Sequence, residues 1–332
     1  MRRVFDRCSA LAVAAALASL MSASLAGQSQ PAASKLGTVR QADTPRAAWT
    51  QARTPWGHPD LRGIWDFQSV VPLERPAEFA GRDLLADEEA ATLQRQALER
   101  PNADRRDGGA QADIARAYNE IWYSRNPVSN KRTSLVIDPP DGRVPPLTPA
   151  AQRIVAQNQS RNRRGDQGTV AWTDELDTYT RCISRVMPRL PQNYNSGTRI
   201  FQAPDYVILQ YEQFDRRVIP LDGRPHLDKK IRLWDGDSRG HWEGNTLVVD
   251  TTNFTDKQEF RGIPQGSLHL IERFTRVGAQ TINYEATIDD PTMWTRTWTV
   301  LLPWQKDDSY QMFEYACHEG NYGMEGILTS GR

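Results

Sequence analysis

The chain has 332 residues, of which 39% are apolar and 25% charged, so it is long enough to bury a large core and too apolar to be disordered throughout. Its 41 basic and 41 acidic residues balance, which speaks against a nucleic-acid partner, because such proteins usually carry an excess of basic residues. Ten Trp, ten Tyr and nine Phe favour a β-rich protein, since ring side chains fit the half-buried face of a sheet.

The first 26 residues have the pattern of a signal peptide. A basic start (MRRVFDR) precedes an Ala-rich apolar stretch, and Ser24-Leu25-Ala26 forms a small-x-small cleavage site. The stretch is too short and too rich in Ala for a membrane span, so we expect no transmembrane segment after cleavage. The protein is predicted to be periplasmic or secreted. Arg2-Arg3 leaves both the general and the twin-arginine export routes open.

Residues 27–55 are polar, rich in Ala, Gln and Pro, and without periodicity, which predicts a disordered linker. Residues 56–332 are predicted to form a single β-rich domain whose N-terminal part, 56–165, is helical. Helices are expected over 84–100, 113–122 and 149–162, the last after a Thr148 N-cap.

From near Thr198 to the C-terminus, apolar and polar residues alternate with a period of two, and turns rich in Gly, Pro, Asp and Asn interrupt the alternation. The strands predicted from it lie at 198–204, 206–212, 216–221, 231–235, 246–252, 267–277, 281–289, 296–304 and 310–317, with an earlier one at 132–138. This series is typical of an antiparallel meander, closed as a lipocalin-like barrel or folded as a sandwich, with a few N-terminal helices packed on it. Gly63-Ile64-Trp65 resembles the G-x-W signature of lipocalin-like barrels.

Two cysteines, Cys182 and Cys317, remain after signal cleavage. In an oxidising compartment two cysteines are most simply a disulfide, and two buried free thiols are the alternative.

Six long segments resemble a large family of exported bacterial proteins without an established activity. They are RTSLVIDPPDGRVPPLTPAAQ, IPLDGRPHL, DSRGHWEGNTLVVDTTNFTD, LHLIERFTRV, DDPTMWTRTWTV and YACHEGNYGM, within 132–324. The resemblance implies a shared fold and export, and it brings no catalytic residue with it.

Glu272 is the first candidate for a general acid or base. The alternation in SLHLIERFT places it on the same strand face as Leu268, Leu270 and Phe274, where a carboxylate is costly to desolvate unless it is paired. The alternative is a buried Glu paired with an Arg from a neighbouring strand.

His226 and His241 are the candidate bases. His226 lies in the polar loop PLDGRPHLD together with Arg224. His241 and Glu243 alternate onto one face of GHWEGNTLVVD, where Gly244-Asn245 is a hairpin turn and Asp237-Ser238-Arg239-Gly240 is predicted as a second turn. The simpler interpretation of this stretch is a hairpin arm.

No metal site is predicted, because the five histidines are scattered and no metal-binding or nucleotide-binding motif occurs. A metal site assembled from residues on distant strands remains an open alternative. No cofactor is expected.

Three functions remain open. The first is an exported, cofactor-free lyase, isomerase or hydrolase acting on a small aromatic or carbohydrate compound. In it, His226 or His241 would be the base and Glu272 or Glu243 the acid. The groups expected to contact substrate are Arg224, Arg273, Tyr211, Trp242, Trp298 and Tyr194. The second is a periplasmic small-molecule-binding protein without catalysis, which predicts a cavity lined by rings. The third is an envelope-associated interaction protein, which predicts no internal cavity and an exposed apolar strip instead. The sequence does not indicate an oligomeric state.

Overall fold

The structure is a computed structural model that describes residues 49–99, 104, 109–111, 130–166, 172–173, 176–191, 195–214 and 216–330. The segment expected to be a signal peptide, most of the expected linker, the helix expected at 113–122 and Tyr194 lie outside these residues. Within the expected linker, Thr54 is buried and Arg53 bridges Pro59, so the described structure begins ahead of residue 56.

The protein is mainly β, as predicted, and its antiparallel strands form a nearly closed barrel rather than a sandwich. The strands are β1 (Gly63–Asp66), β2 (Val136–Asp138), β3 (Gly197–Gln202), β4 (Tyr206–Tyr211), β5 (Arg216–Pro220), β6 (Asp237–Glu243), β7 (Thr246–Thr252), β8 (Glu259–Phe260), β9 (Ile263–Pro264), β10 (His269–Gly278), β11 (Thr281–Asp289) and β12 (Trp298–Lys306). Ten of them form one sheet in the order β5-β4-β3-β1-β12-β11-β10-β7-β6, with β2 paired to β12. The short strands β8 and β9 form a separate hairpin.

Strict alternation explains the central strands. In β11 the residues Ile282, Tyr284, Ala286 and Ile288 are buried, and the residues between them face outward. In β12 the residues Trp298, Val300, Leu302 and Trp304 are likewise buried. These side chains, together with Trp65 and Phe274, fill the barrel interior in the described part of the chain.

The two ends of the sheet, β5 and β6, meet at a seam that side chains close. Gly240 of β6 packs against the side chains of Leu221 and Ile219, and a Cβ at this position would lie 2.7 Å from Leu221. A larger residue here would have to displace the Leu221 and Ile219 side chains, so Gly240 lets the two ends of the sheet approach closely.

In the described part of the chain three α-helices have defined bounds and lie outside the sheet: α1 (Asp87–Leu98), α2 (Pro149–Asp166) and α3 (Tyr322–Ser330), besides a 3₁₀ turn at Ala77–Phe79. The predicted N-cap of α2 is confirmed, because the Thr148 hydroxyl accepts a hydrogen bond from the Ala151 N–H at 3.1 Å. Helix α3 was not predicted.

Three local predictions were wrong. Residues 237–240 begin strand β6 instead of forming a turn, and residues 231–235 and 310–317 are not strands. Segment 231–235 has a single bridge, Leu233 to Phe254, in place of a ladder. The strand expected at 132–138 is shortened to Val136–Asp138.

Candidate functional site

Glu272 lies inside the barrel and is paired with Arg217. Both side chains are almost fully buried, at 1% and 2% exposure. Two hydrogen bonds join them, from Arg217 Nη1 to Glu272 Oε1 at 3.0 Å and from Nη2 to Oε2 at 2.7 Å. Tyr284 donates its hydroxyl hydrogen to Oε1 at 2.9 Å. The Glu272 carboxylate is therefore satisfied by protein groups.

Arg217 comes from β5 and reaches across the seam to the other end of the sheet. Its Nη2 also donates to Ser238 of β6 at 2.9 Å and to Thr251 of β7 at 3.0 Å. The predicted substrate contact Tyr211 accepts from Nη1 at 3.2 Å and is buried in the same cluster. We call Arg217, Glu272, Tyr211, Tyr284, Ser238 and Thr251 the seam cluster.

Burial and the nearby Glu272 charge raise the pKa of the Tyr284 hydroxyl well above its usual range. Tyr284 therefore stays a neutral donor to Glu272. The seam cluster brings together two predicted site residues, Glu272 and Tyr211, and its contacts hold the barrel closed.

His226 lies on the outer face of the sheet, with a carboxylate at each ring nitrogen. Its Nδ1 is 3.1 Å from Asp237 Oδ2, and its Nε2 is 3.0 Å from Asp250 Oδ1. Asp237 is itself held by the Leu227 N–H at 2.8 Å and by Arg239 Nη1 at 2.6 Å.

A second histidine, His269 of β10, shares Asp250 with His226. His269 Nε2 lies 3.1 and 3.0 Å from the two oxygens of Asp250. The His269 and Asp250 side chains are 37% and 38% exposed, so solvent reaches both. We call His226, Asp237, Asp250 and His269 the outer histidine cluster.

The outer histidine cluster includes three residues that the sequence did not single out: Asp237, Asp250 and His269. The signal for one of them was present, since His269 alternates with Glu272 and must face outward. Its partners come from β7 and from the loop after β5, and only the folded sheet places them beside it.

His241 and Glu243 are an exposed pair on the outer face of the β6–β7 hairpin. His241 Nε2 is 3.1 Å from Glu243 Oε1, and Arg273 Nη2 is 2.5 Å from Glu243 Oε2. The hydrogen bonds from Arg273 and His241 lower the pKa of Glu243. The structure places Arg273 in this pair and away from Glu272, since neighbouring strand residues point to opposite faces.

Arg224 is an exposed side chain bound to Asp222 and to the Tyr206 hydroxyl, the latter at 3.1 Å. The hydrogen bond from Arg224 lowers the pKa of Asp222 to about 2. Trp242 is half-buried at one barrel end, with its ring centroid 5.2 Å from that of His58. Trp298 is fully buried in the core.

Cys182 and Cys317 form a disulfide with a Cα–Cα distance of 5.7 Å. A disulfide is consistent with the oxidising compartment that the sequence predicts. Within the described residues, no helix is long and apolar enough to cross a membrane. The same residues contain no group of three or more His, Cys, Asp or Glu side chains arranged to hold a metal ion.

The predicted site residues that the structure describes thus lie apart: Glu272 and Tyr211 in the seam cluster, His226 in the outer histidine cluster, His241, Glu243 and Arg273 at the exposed hairpin pair, and Arg224, Trp242 and Trp298 elsewhere. No protein-family model matches the chain, and no curated protein or solved structure shows significant similarity to it.

Proposed function

We propose that the protein is an exported acid–base enzyme without a cofactor, and that His269 is its catalytic base. The observation that carries this proposal is the pairing of His269 Nε2 with Asp250, at 3.0 Å, on a partly exposed imidazole. Orientation of a histidine by a carboxylate is a recurring feature of acid–base sites.

The roles of the two ring nitrogens follow from the partner. A carboxylate only accepts hydrogen bonds, so the nitrogen facing Asp250 carries the proton. Neutral His269 then has its lone pair on Nδ1, which has no hydrogen-bond partner among the described residues. That nitrogen is free to accept a proton from a substrate.

His226 is less suited to this role, although the sequence favoured it. Both of its ring nitrogens face carboxylate oxygens, of Asp237 and Asp250. Neither nitrogen is left for a substrate. We assign His226 a positioning role: it holds Asp250 in place through the contact of its Nε2 with Oδ1.

The charge around His269 favours a hydroxyl-bearing substrate. Asp250 lies on one side, and Asp289 is its partner in the β10–β11 register on the other. Carboxylates repel an anionic substrate and accept hydrogen bonds from hydroxyl groups. A carbohydrate or other polyhydroxylated compound, which belongs to one of the two substrate classes predicted from the sequence, therefore fits better than an anionic compound.

The test uses the protein from about Gly27, incubated with pooled glycosides and plant aromatics and read by mass spectrometry over time. We expect a product whose formation falls at least about 100-fold in His269→Gln and in Asp250→Asn. His241→Gln is the matched control, because His241 is also an exposed histidine beside a carboxylate on the outer face. Equal rates in the His269 and His241 variants would refute the assignment, and so would the absence of any product.

A second candidate function, docking to the cell envelope, is supported by an apolar strip in the loop between β5 and β6. Leu227, Ile231 and Leu233 are 41%, 46% and 39% exposed. Lys229 and Lys230 lie between them, and their ammonium groups have no partner among the described residues. Exposed aliphatic side chains beside unpaired cations suit an anionic lipid surface.

The strip is held in place, since Asn253 Nδ2 donates to the Leu227 carbonyl at 3.0 Å and Leu233 N–H donates to the Asn253 carbonyl at 2.9 Å. The test is co-flotation with vesicles containing phosphatidylglycerol. We expect flotation that is lost in Ile231→Ser with Lys229→Gln and Lys230→Gln. Flotation that persists in that variant would remove this candidate.

A further inference from the structure

An open groove lies beside the β8–β9 hairpin at one end of the barrel. It has a volume of about 520 Å³, within the range of small-molecule sites. Its lining is mostly apolar and comes from the loop 69–73, from Leu135, Leu190 and Pro191, and from Phe260 and Arg261 of the hairpin. The groove lies outside the barrel interior, which side chains fill.

Phe260 separates this groove from a second, much smaller crevice. The crevice has room for about one water molecule, at about 10 Å³, and Phe260 lines both spaces. Behind Phe260 the ring of Trp298 stacks at a centroid distance of 6.4 Å, and Trp294 contacts Trp298 edge-on at 5.6 Å. Phe260, Trp298 and Trp294 therefore form a chain of ring contacts, and Trp294 also lines the crevice.

Asp290 lines the crevice and has an oxygen without a partner. The residue is 2% exposed. Its Oδ1 accepts from the Thr292 hydroxyl at 2.7 Å and the Thr292 N–H at 3.1 Å, whereas Oδ2 has no hydrogen bond within the described structure. The Trp298 Nε1–H is likewise buried and without a partner. Buried polar groups of this kind are rare unless something binds them.

We propose that the groove and the crevice are one ligand site, gated by Phe260, for a small neutral aromatic compound bearing a hydroxyl group. The ligand's ring stacks in place of Phe260 against Trp298. Its hydroxyl donates to Asp290 Oδ2, the oxygen that lacks a partner. This site goes beyond the acid–base function proposed above and does not depend on it.

The hairpin is attached to the barrel by side chains: Phe260 and Ile263 pack in the core, and Gln258 and Gln265 beside it donate to the Arg185 and Met187 carbonyls. Strands β8 and β9 pair only with each other, so displacing them breaks no hydrogen bond of the barrel sheet. The turn between them has Arg261 and Gly262 at φ 56° and 78°. Asn158 of α2 tethers the hairpin by bonds to the Glu259 side chain at 2.9 Å and the Gly262 carbonyl at 3.0 Å.

The lining also argues for a neutral ligand. Among the described residues that line the groove, Arg261 is the one cationic side chain, and its Nη2 lies 3.6 Å from Glu74 Oε2. The Asp290 carboxyl lies in the apolar crevice with Ile263, Leu268 and Trp294. A carboxylate ligand placed there would meet an acidic group, whereas a phenol would meet an acceptor.

The experiment is a titration of the full mature protein with phenol, anisole and toluene, followed by the indole N–H signals in ¹⁵N NMR spectra. We expect a saturable shift of the Trp298 signal and at least about tenfold tighter binding of phenol than of anisole, because only phenol donates a hydrogen bond. Phe260→Ala should tighten the binding of all three compounds, since it opens the gate. Asp290→Leu should remove the preference for phenol.

Asp250→Asn is the control that separates this site from the proposed catalytic one, and it should leave phenol binding unchanged. Equal affinities for phenol and anisole, or a Trp298 signal that does not move in the wild type, would overturn the proposal. The comparison of ligands uses only the wild type, so it decides the question even where a variant fails to fold.

Discussion

The seam cluster and the outer histidine cluster are both built from acids and bases, yet they differ in what surrounds them. Arg217 and Glu272 are at most 2% exposed, and protein groups satisfy both oxygens of Glu272. His269 and Asp250 are more than a third exposed, and one nitrogen of His269 has no hydrogen bond among the described residues. A buried carboxylate whose two oxygens are bonded serves closure of the barrel, whereas partial exposure leaves a group able to exchange protons with a ligand.

The largest effect is expected from breaking the seam cluster on one side. Glu272→Ala leaves Arg217 buried without its counter-charge and should lower the free energy of unfolding by about 3–5 kcal/mol. Urea denaturation followed by tryptophan fluorescence measures it. A loss below about 1 kcal/mol would mean that solvent reaches Arg217.

Replacing both partners is the matched control for that loss. Arg217→Met with Glu272→Leu removes both charges, so the double variant should be clearly more stable than Glu272→Ala and within about 2 kcal/mol of the wild type. If the double variant were as unstable as the single one, the loss would come from packing and not from the unpaired charge.

The next effect concerns Asp290 and depends on pH. Burial raises the pKa of Asp290 above its usual 3.8. The folded state therefore favours the protonated form, so the stability that Asp290 contributes is full below pH 3.8 and is lost as the pH rises through the folded-state value. Asp290→Asn keeps the oxygen that accepts from Thr292 and carries no charge.

We therefore expect Asp290→Asn to gain stability relative to the wild type as the pH rises above 3.8 and through the folded-state pKa of Asp290. Urea denaturation at several pH values measures the difference between the two proteins. A difference that does not change with pH would show that Asp290 ionises in the folded protein as it does in the unfolded chain.

A smaller effect is expected in the outer histidine cluster. Asp250→Asn should change the free energy of unfolding by less than about 1 kcal/mol, because exposed ion pairs contribute little. Circular dichroism during thermal unfolding checks this on the same preparation that is assayed for activity. A large loss of stability would make Asp250 a structural residue and weaken its catalytic assignment.

The smallest effect is expected at the exposed hairpin pair. The pKa of Glu243 is lowered by Arg273 and His241, so its contribution to stability is present above pH 4.5 and is lost as the pH falls. Glu243→Gln should not shift the unfolding midpoint at neutral pH by more than the error of the measurement. A clear shift would show that this exposed pair, like the seam cluster, contributes to the stability of the fold.

The sequence pattern was sufficient to predict a strand where apolar and polar residues alternate strictly along it. β11 was predicted with the same bounds that the structure has, because Ile282, Tyr284, Ala286 and Ile288 mark its inner face. The start of β6 was missed because Asp-Ser-Arg-Gly has the composition of a turn. Those residues adopt an extended conformation because Ser238 hydrogen-bonds to Thr251 and Gly240 packs against Ile219, and both contacts exist only in the folded barrel.

The sites could be predicted from the sequence less completely than the strands. The inward direction of Glu272 and the need for an arginine partner follow from its apolar neighbours. The identity of that partner does not, because β5 and β10 are not adjacent in the sheet and Arg217 reaches Glu272 across the interior. His269 and Asp250 likewise meet through strand register, which one sequence does not fix.

The disulfide has a consequence for the integrity of the molecule. Cys182 and Cys317 are separated by 135 positions, and β3 to β12 all lie between them. A protease outside the cytoplasm that cuts one loop in this interval would leave both fragments covalently joined. Such nicked protein would migrate as one species on a gel until a reductant is added, so a single scission in the loop carrying Lys229 and Lys230 would not release a fragment.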